Sequence, residues 1–261
     1  VSAWFEMKAW LRHRLTSKGP HGVHSPFVFH LITQELLPDK HFHAFDAIES
    51  LRVELLRNEA RIDVRDFGAG SRSSSSSSRR ICDIARTASN PPEQAQMLFR
   101  WANFCQPLRV LELGTNLGLS SAYLSKAIPK ASIWSLEGAP ALVALARQHL
   151  EGLQCKNVTV VEGHFRETLP RTLSAMGAID LAWLDGHHEK QATLDYMEMI
   201  WPYCHSETVL LVDDIHWSAG MNAAWEILRN DARVTLSLDF YHYGALLFKT
   251  GREKEHFRIS I

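Results

Sequence analysis

From residue 108 to residue 249 the chain alternates short apolar runs with longer stretches whose apolar residues recur three or four positions apart. Residues 108–114, 132–137, 158–162, 179–185 and 207–213 read as strands. Each is followed by a helical pattern, ending near residues 128, 150, 176, 203 and 230. The runs are apolar on both faces, as buried parallel strands are. Pro140 suits the first turn of its helix. Residues 233–239 and 244–249 are close enough to pair as a hairpin. Five β-α units and a hairpin predict an α/β fold: a doubly wound, mostly parallel seven-stranded sheet with a C-terminal antiparallel edge.

Residues 1–90 differ: they are rich in His, Arg and Ser and show no strand alternation. The expected organisation is therefore an N-terminal helical cap over 1–90 and a Rossmann-like domain over 91–261. Trp4, Phe5, Met7, Trp10, Leu11 and Leu15 fall at roughly helical spacing, with Arg12, Arg14 and Lys18 among or just after them. Such a helix suits a membrane surface or a partner, or docks on its own domain; the last is the commoner use and is the expectation here. Gly19-Pro20 and Ser25-Pro26 break the chain, and residues 45–57 read as another helix. The segment 24–29, His-Ser-Pro-Phe-Val-Phe, is expected to anchor the N-terminal part. Residues 71–78, serine apart from Arg72, read as a mobile loop. Phe67-Gly-Ala-Gly70 follows no apolar strand and so is not read as a phosphate loop. His21, His24, His30, His41 and His43 match no known ligand spacing.

Composition narrows the function classes. A net charge of −1 argues against a broad nucleic-acid surface. Cys82, Cys105, Cys155 and Cys204 form no C-x-x-C pair and read as reduced thiols of a cytoplasmic protein. No apolar run is long enough for a membrane span, and no signal-peptide pattern is visible. The aromatic N-terminus could support a homodimer.

The first strand leads into Glu112-Leu-Gly-Thr-Asn-Leu-Gly118. Its glycines are four apart, unlike the G-x-G-x-x-G loop that seats a pyrophosphate. E-x-G-x-x-x-G suits a ligand that needs close backbone approach but carries no phosphate there. Glu137, ending the next strand, is placed to accept ribose hydroxyls. With these residues the chain resembles the class I S-adenosylmethionine-dependent methyltransferases over residues 91–249. The segment from Asn90 to Leu98 is similar to the entry helix of small-molecule O-methyltransferases. The resemblance implies that Glu112, Gly114, Thr115 and Gly118 hold the methionine part of S-adenosylmethionine, Glu137 its ribose, and Gly163 and His164 its adenine.

Two further strand ends carry acids: Leu184-Asp-Gly-His-His188 and Leu211-Val-Asp-Asp-Ile-His-Trp217. Carboxylates converging on one sheet edge repel one another unless a cation intervenes, and oxygen ligands suit Mg²⁺, Mn²⁺ or Ca²⁺. The pair of motifs resembles the metal-dependent O-methyltransferases. The D-G-x-H form, with Asp195 beyond it, is closest to a bacterial branch that includes macrolide-sugar methyltransferases. The resemblance implies Asp185, Asp213 and Asp214 as metal ligands and His188 as general base, with Asp185 also counted catalytic. The catechol-type branch has Lys and Asn in place of His188 and Asp214, so the resemblance does not point to a catechol-like acceptor. His216 and Trp217 are candidates for lining the acceptor pocket. The expected function is methyl transfer to a hydroxyl of a small molecule, assisted by a divalent cation. Three alternatives stay open: a metal-independent N- or O-methyltransferase using His187 or His188, a NAD-dependent oxidoreductase, and a non-catalytic module that keeps the fold.

Overall fold

The computed structural model describes residues 3–37, 40–64, 78–251 and 253–260. Along the chain lie helices α1 (Ala3–Thr16), α2 (Pro26–His30) and α3 (His43–Arg57), short strands β1 (Arg61–Asp63) and β2 (Ser78–Arg80), and helices α4 (Ile81–Thr87) and α5 (Pro92–Cys105). Then come β3 (Arg109–Leu113), α6 (Leu119–Ala127), β4 (Ser132–Glu137), α7 (Pro140–Gly152), β5 (Val158–Glu162) and α8 (Phe165–Met176). The rest is β6 (Leu181–Leu184), α9 (Lys190–Ile200), β7 (Val209–Asp213), α10 (Ala219–Asn230), β8 (Leu236–Asp239), β9 (Tyr243–Leu247) and β10 (Glu255–Arg258). The Phe67–Gly70 reading and all but the last residue of the 71–78 segment fall outside the described residues; Ser78 begins β2.

The chain forms two compact units, Val1–Pro38 with Met176–Ile261, and Asp39–Ala175. The boundary expected near residue 90 falls inside the second. In that unit β3, β4 and β5 pair in parallel, Leu113 opposite Leu136 and Glu137 opposite Glu162. This register brings the C-terminal ends of the three strands to one edge. Antiparallel β1 and β2 were not foreseen in the sequence. The core joins Phe45 and Ile48 of α3, Ile84 of α4, Phe99 of α5 and Tyr123 of α6. Phe45 meets Phe99 edge-on at 5.0 Å and Tyr123 at 5.3 Å, favoured aromatic geometries that lock α3 onto α5 and α6.

In the other unit the strand order is β10-β8-β9-β7-β6. β6 and β7 are parallel, while β9 runs antiparallel to both β7 and β8. The expected α/β class, mostly parallel pairing and C-terminal hairpin are all present. β10, parallel to β8, adds an edge strand that the mixed run Glu255-His-Phe-Arg258 did not announce. A Cβ at Gly244 would lie 2.4 Å from the Trp225 ring, so glycine there lets the buried indole of α10 lie directly on β9. Within the 24–29 segment Ser25 and Val28 are buried while His24 and Phe29 are exposed, and Leu31 and Ile32 just beyond it are fully buried. Helix α1 also docks, through the side that carries Phe5, Glu6, Ala9 and His13. His13 Nε2 lies 3.1 Å from the Asp239 carbonyl, the Tyr241 hydroxyl donates to the Glu6 carbonyl, and Lys18 bridges to Ile259.

Candidate functional site

In the unit of residues 39–175, the loop after β3 is shaped from beneath by buried polar side chains. Glu112 and Thr115 are almost fully buried. The Glu112 carboxylate accepts from Ser121 and, at 2.5 Å, from Ser135, whose hydroxyl also lies 2.5 Å from that of Thr115. What these two positions offer a ligand is therefore loop shape and backbone. Gly114 and Thr115 donate to the Leu136 carbonyl, and Gly118 donates to Thr115 across a tight turn. The turn needs left-handed backbone: φ is 100° at Gly114, 50° at Asn116 and 83° at Gly118. Gly118 caps α6, and a Cβ there would rest 3.4 Å from Ala146, a contact without overlap, so backbone strain is the obstacle to another residue. Glu137 grips the same loop from β4. Its carboxylate accepts from the amides of Asn116 and Ala139, both at 2.9 Å, and it stays half-buried. Gly163 donates to the Glu137 carbonyl with φ at 131°, and His164 beside it is exposed. The expected cofactor residues thus share one strand edge, with Glu137 tied directly to the glycine loop.

In the other unit the β6–β7 register sets Leu184 opposite Val212, so Asp185 and Asp213 leave the sheet side by side. Asp213 is buried. Burial, then the charges of Asp185 and Asp214 and a hydrogen bond with Asp185, pushes its carboxyl well above the usual range. His188 stands between the other two carboxylates, Nε2 at 3.5 Å from Asp185 and Nδ1 at 3.6 Å from Asp214. His187 turns away, its Nδ1 2.9 Å from the Tyr196 hydroxyl. Of the two histidines, His188 is the one the fold brings to the acids. Left-handed φ values of 65° at His187 and 54° at Asp214 make the turns that aim these groups; an aspartate tolerates this better than most residues. Asp195 lies apart, accepting from Gln191.

A second acid, Asp239, went unnoticed in the sequence. It is fully buried and takes His216 Nε2 at 3.0 Å and His13 Nε2 at 3.3 Å. Burial alone would raise its pKa, but the hydrogen bonds from His13 and His216 and the His216 charge outweigh it and hold it far below the usual carboxylate range. His216 also bonds Asn222 and stacks on Tyr241, so its ring is committed to this network.

The donor chemistry of Asp185, Asp213 and Asp214 fits a hard cation: three carboxylates, the buried one with its pKa raised first by burial and then by the negative charge beside it. Their geometry is that of groups in contact with each other. Among the described residues no three His, Cys, Asp or Glu side chains are arranged to hold a metal ion.

Comparison with known proteins bears on the fold that carries these residues. The family described as "Methyltransferase domain" matches residues 111–215, from β3 through the second acidic strand end. A catechol O-methyltransferase of Niastella koreensis is 27% identical over 128 residues, 48% of this chain and 57% of that protein, so the chain matches little more than half that relative's length. Among solved structures, the SAH-bound methyltransferase PaMTH1 of Podospora anserina aligns with a TM-score of 0.60 at 17% identity, covering 87% of this chain and 97% of that one. The TomG O-methyltransferase of Streptomyces achromogenes, solved with SAM, gives 0.58 at 18% identity over 86% and 95%. The O-methyltransferase of Bacillus cereus, solved with SAH, gives 0.57 at 16% identity over 84% and 96%. At these identities the likeness establishes a shared fold.

Proposed function

We infer that this chain is a class I S-adenosylmethionine-dependent O-methyltransferase acting on a small-molecule hydroxyl. The observation that carries the reading is the E-x-G-x-x-x-G loop held by Glu137 at the strand edge of a methyltransferase fold. S-adenosylmethionine supplies an electrophilic methyl group on its sulfonium. The loop backbone at Gly114–Gly118 approaches the methionine part, Glu137 accepts the ribose hydroxyls, and Gly163 and His164 border the adenine. Glu112 and Thr115 act as positioning residues, since their buried hydroxyl and carboxylate contacts set the loop.

The acceptor chemistry belongs to Asp185, His188, Asp213 and Asp214. His188 takes the proton from the attacking hydroxyl, and the carboxylates on either side orient its ring and stabilise the imidazolium. Asp185, Asp213 and Asp214 would hold a divalent cation. When bound, it would lower the pKa of the acceptor hydroxyl and neutralise the cluster. Much of the acceleration comes from holding the two reactants in line. The Niastella relative is named for catechol, whereas this chain carries His188 and Asp214 where the catechol-type pattern has Lys and Asn. The acceptor class is therefore left at a small-molecule hydroxyl.

Calorimetric titration tests the cofactor: S-adenosylmethionine and its demethylated product should bind, and NAD should not. NAD binding with no heat from either sulfur compound would sink the reading. For the cation, Mn²⁺ binding followed by calorimetry should vanish in Asp185→Ala, and full methyl transfer in excess EDTA would exclude an essential metal.

A further inference from the structure

Helix α1 is held by the side that carries half-buried Phe5 and buried His13 and is bare on the other, and the bare side carries most of its large apolar residues. His13, the Glu6 carbonyl and Thr16 bond to Asp239, Tyr241 and Arg258 of the same unit. Trp4, Met7, Leu11 and Leu15 recur three or four apart along a single face of the helix and point to solvent, Trp4 69% and Leu15 76% exposed. Amphipathic helices of folded domains normally bury such a stripe, so its outward aim marks a surface that docks on something else. Lys8 and Arg12 border the stripe on one side, Trp10 and Arg14 on the other, all exposed, with the Arg14 guanidinium 5.4 Å over the Trp10 ring.

Charge selects the occupant. Packing the stripe on that of a second copy would bring bordering cations together, while α1 carries one acid, Glu6. Aromatic and aliphatic residues flanked by Lys and Arg instead suit the boundary between anionic headgroups and acyl chains. We propose that α1 is a peripheral anchor that lays its Trp4–Leu15 face on an anionic lipid surface. Neither this role nor its test rests on the assignment of methyl transfer.

The test is cosedimentation of the full chain with vesicles of phosphatidylcholine alone or mixed with phosphatidylglycerol, paired with sedimentation velocity without lipid. The chain should be a monomer through this face, pellet with the anionic vesicles and detach as salt rises. Replacing Lys8, Arg12 and Arg14 together by Gln should weaken binding on the order of a hundredfold, at about fivefold per cation. Leu11→Ser with Leu15→Ser should abolish pelleting while near-ultraviolet circular dichroism stays unchanged, because both side chains are exposed. The charge variant leaves the apolar face intact and so gives an independent reading should the serine variant misfold. The proposal is overturned if the chain ignores anionic vesicles, if neither variant alters pelleting, or if it forms a lipid-free dimer that the serine variant dissolves.

Discussion

Asp213→Asn is expected to stabilise the metal-free protein at neutral pH and, on the proposed role of the carboxylate cluster, to abolish binding of divalent cations. Burial first, and then the charges of Asp185 and Asp214, holds the Asp213 carboxyl well above its usual value of 3.8. A carboxyl with a raised folded-state pKa binds its proton more tightly in the folded chain than in the unfolded one. Stability therefore falls as pH rises above 3.8, until the folded-state value is passed. At about 1.36 kcal/mol per unit, the interval up to neutral pH bounds that penalty at roughly 4 kcal/mol. Relaxation of the cluster and the high effective dielectric reduce the expected gain to about 1–2 kcal/mol. Asparagine keeps the shape and can donate to Asp185 in place of the lost proton. Urea unfolding of both proteins in EDTA, followed from about pH 4 to about pH 7, measures the difference. The variant should gain with rising pH, and the gap should close towards pH 4. Added Mg²⁺ should then stabilise the wild type alone, because a ligand stabilises only the state that binds it. A variant no more stable than wild type at neutral pH in EDTA, or a gap independent of pH, would refute the reasoning.

Three further outcomes follow from the same structure. Gly118→Ala places a side chain at φ of 83° and should cost about 1–2 kcal/mol by thermal or urea unfolding, with weaker binding of S-adenosylhomocysteine. Glu137→Ala removes the acceptor for the Asn116 and Ala139 amides, at about 1–3 kcal/mol, and calorimetry should find S-adenosylhomocysteine bound roughly ten- to a hundredfold more weakly. His13 is buried, which lowers its pKa, but its bonds to Asp239 outweigh that and raise it above 6.5. Its contribution is thus complete below pH 6.5 and lost as pH rises through the folded-state value, and His13→Asn should flatten that alkaline slope in urea unfolding.

The β-α series was legible because periodicity is a local property. Each strand from β3 to β9 overlaps an apolar run, displaced by a few residues at its ends, where hydrogen-bond pairing rather than side-chain pattern sets the limit. Glu137 could be placed beside the glycine loop because both sit at the ends of consecutive strands, and its bond to the Asn116 amide realises that placement. Asp185 and Asp213 were legible for the same reason. His188 was separable from His187 only in three dimensions, since the left-handed turn at His187 sends neighbouring rings to different partners. β10 has no apolar alternation because an edge strand is pinned by backbone pairing with β8.

By itself the sequence determined the class of the fold, the order of its strands along the chain and the acids at their ends. These follow from periods of two and about 3.6 residues and from where glycine and carboxylates interrupt them. Tertiary structure alone decided the contacts between distant residues. His13 meets Asp239 across 226 positions, an attraction with no local signature. That contact also settles which way α1 faces: a buried charge-assisted bond claims the side that carries His13 for the interior, so the stripe from Trp4 to Leu15 is left to solvent.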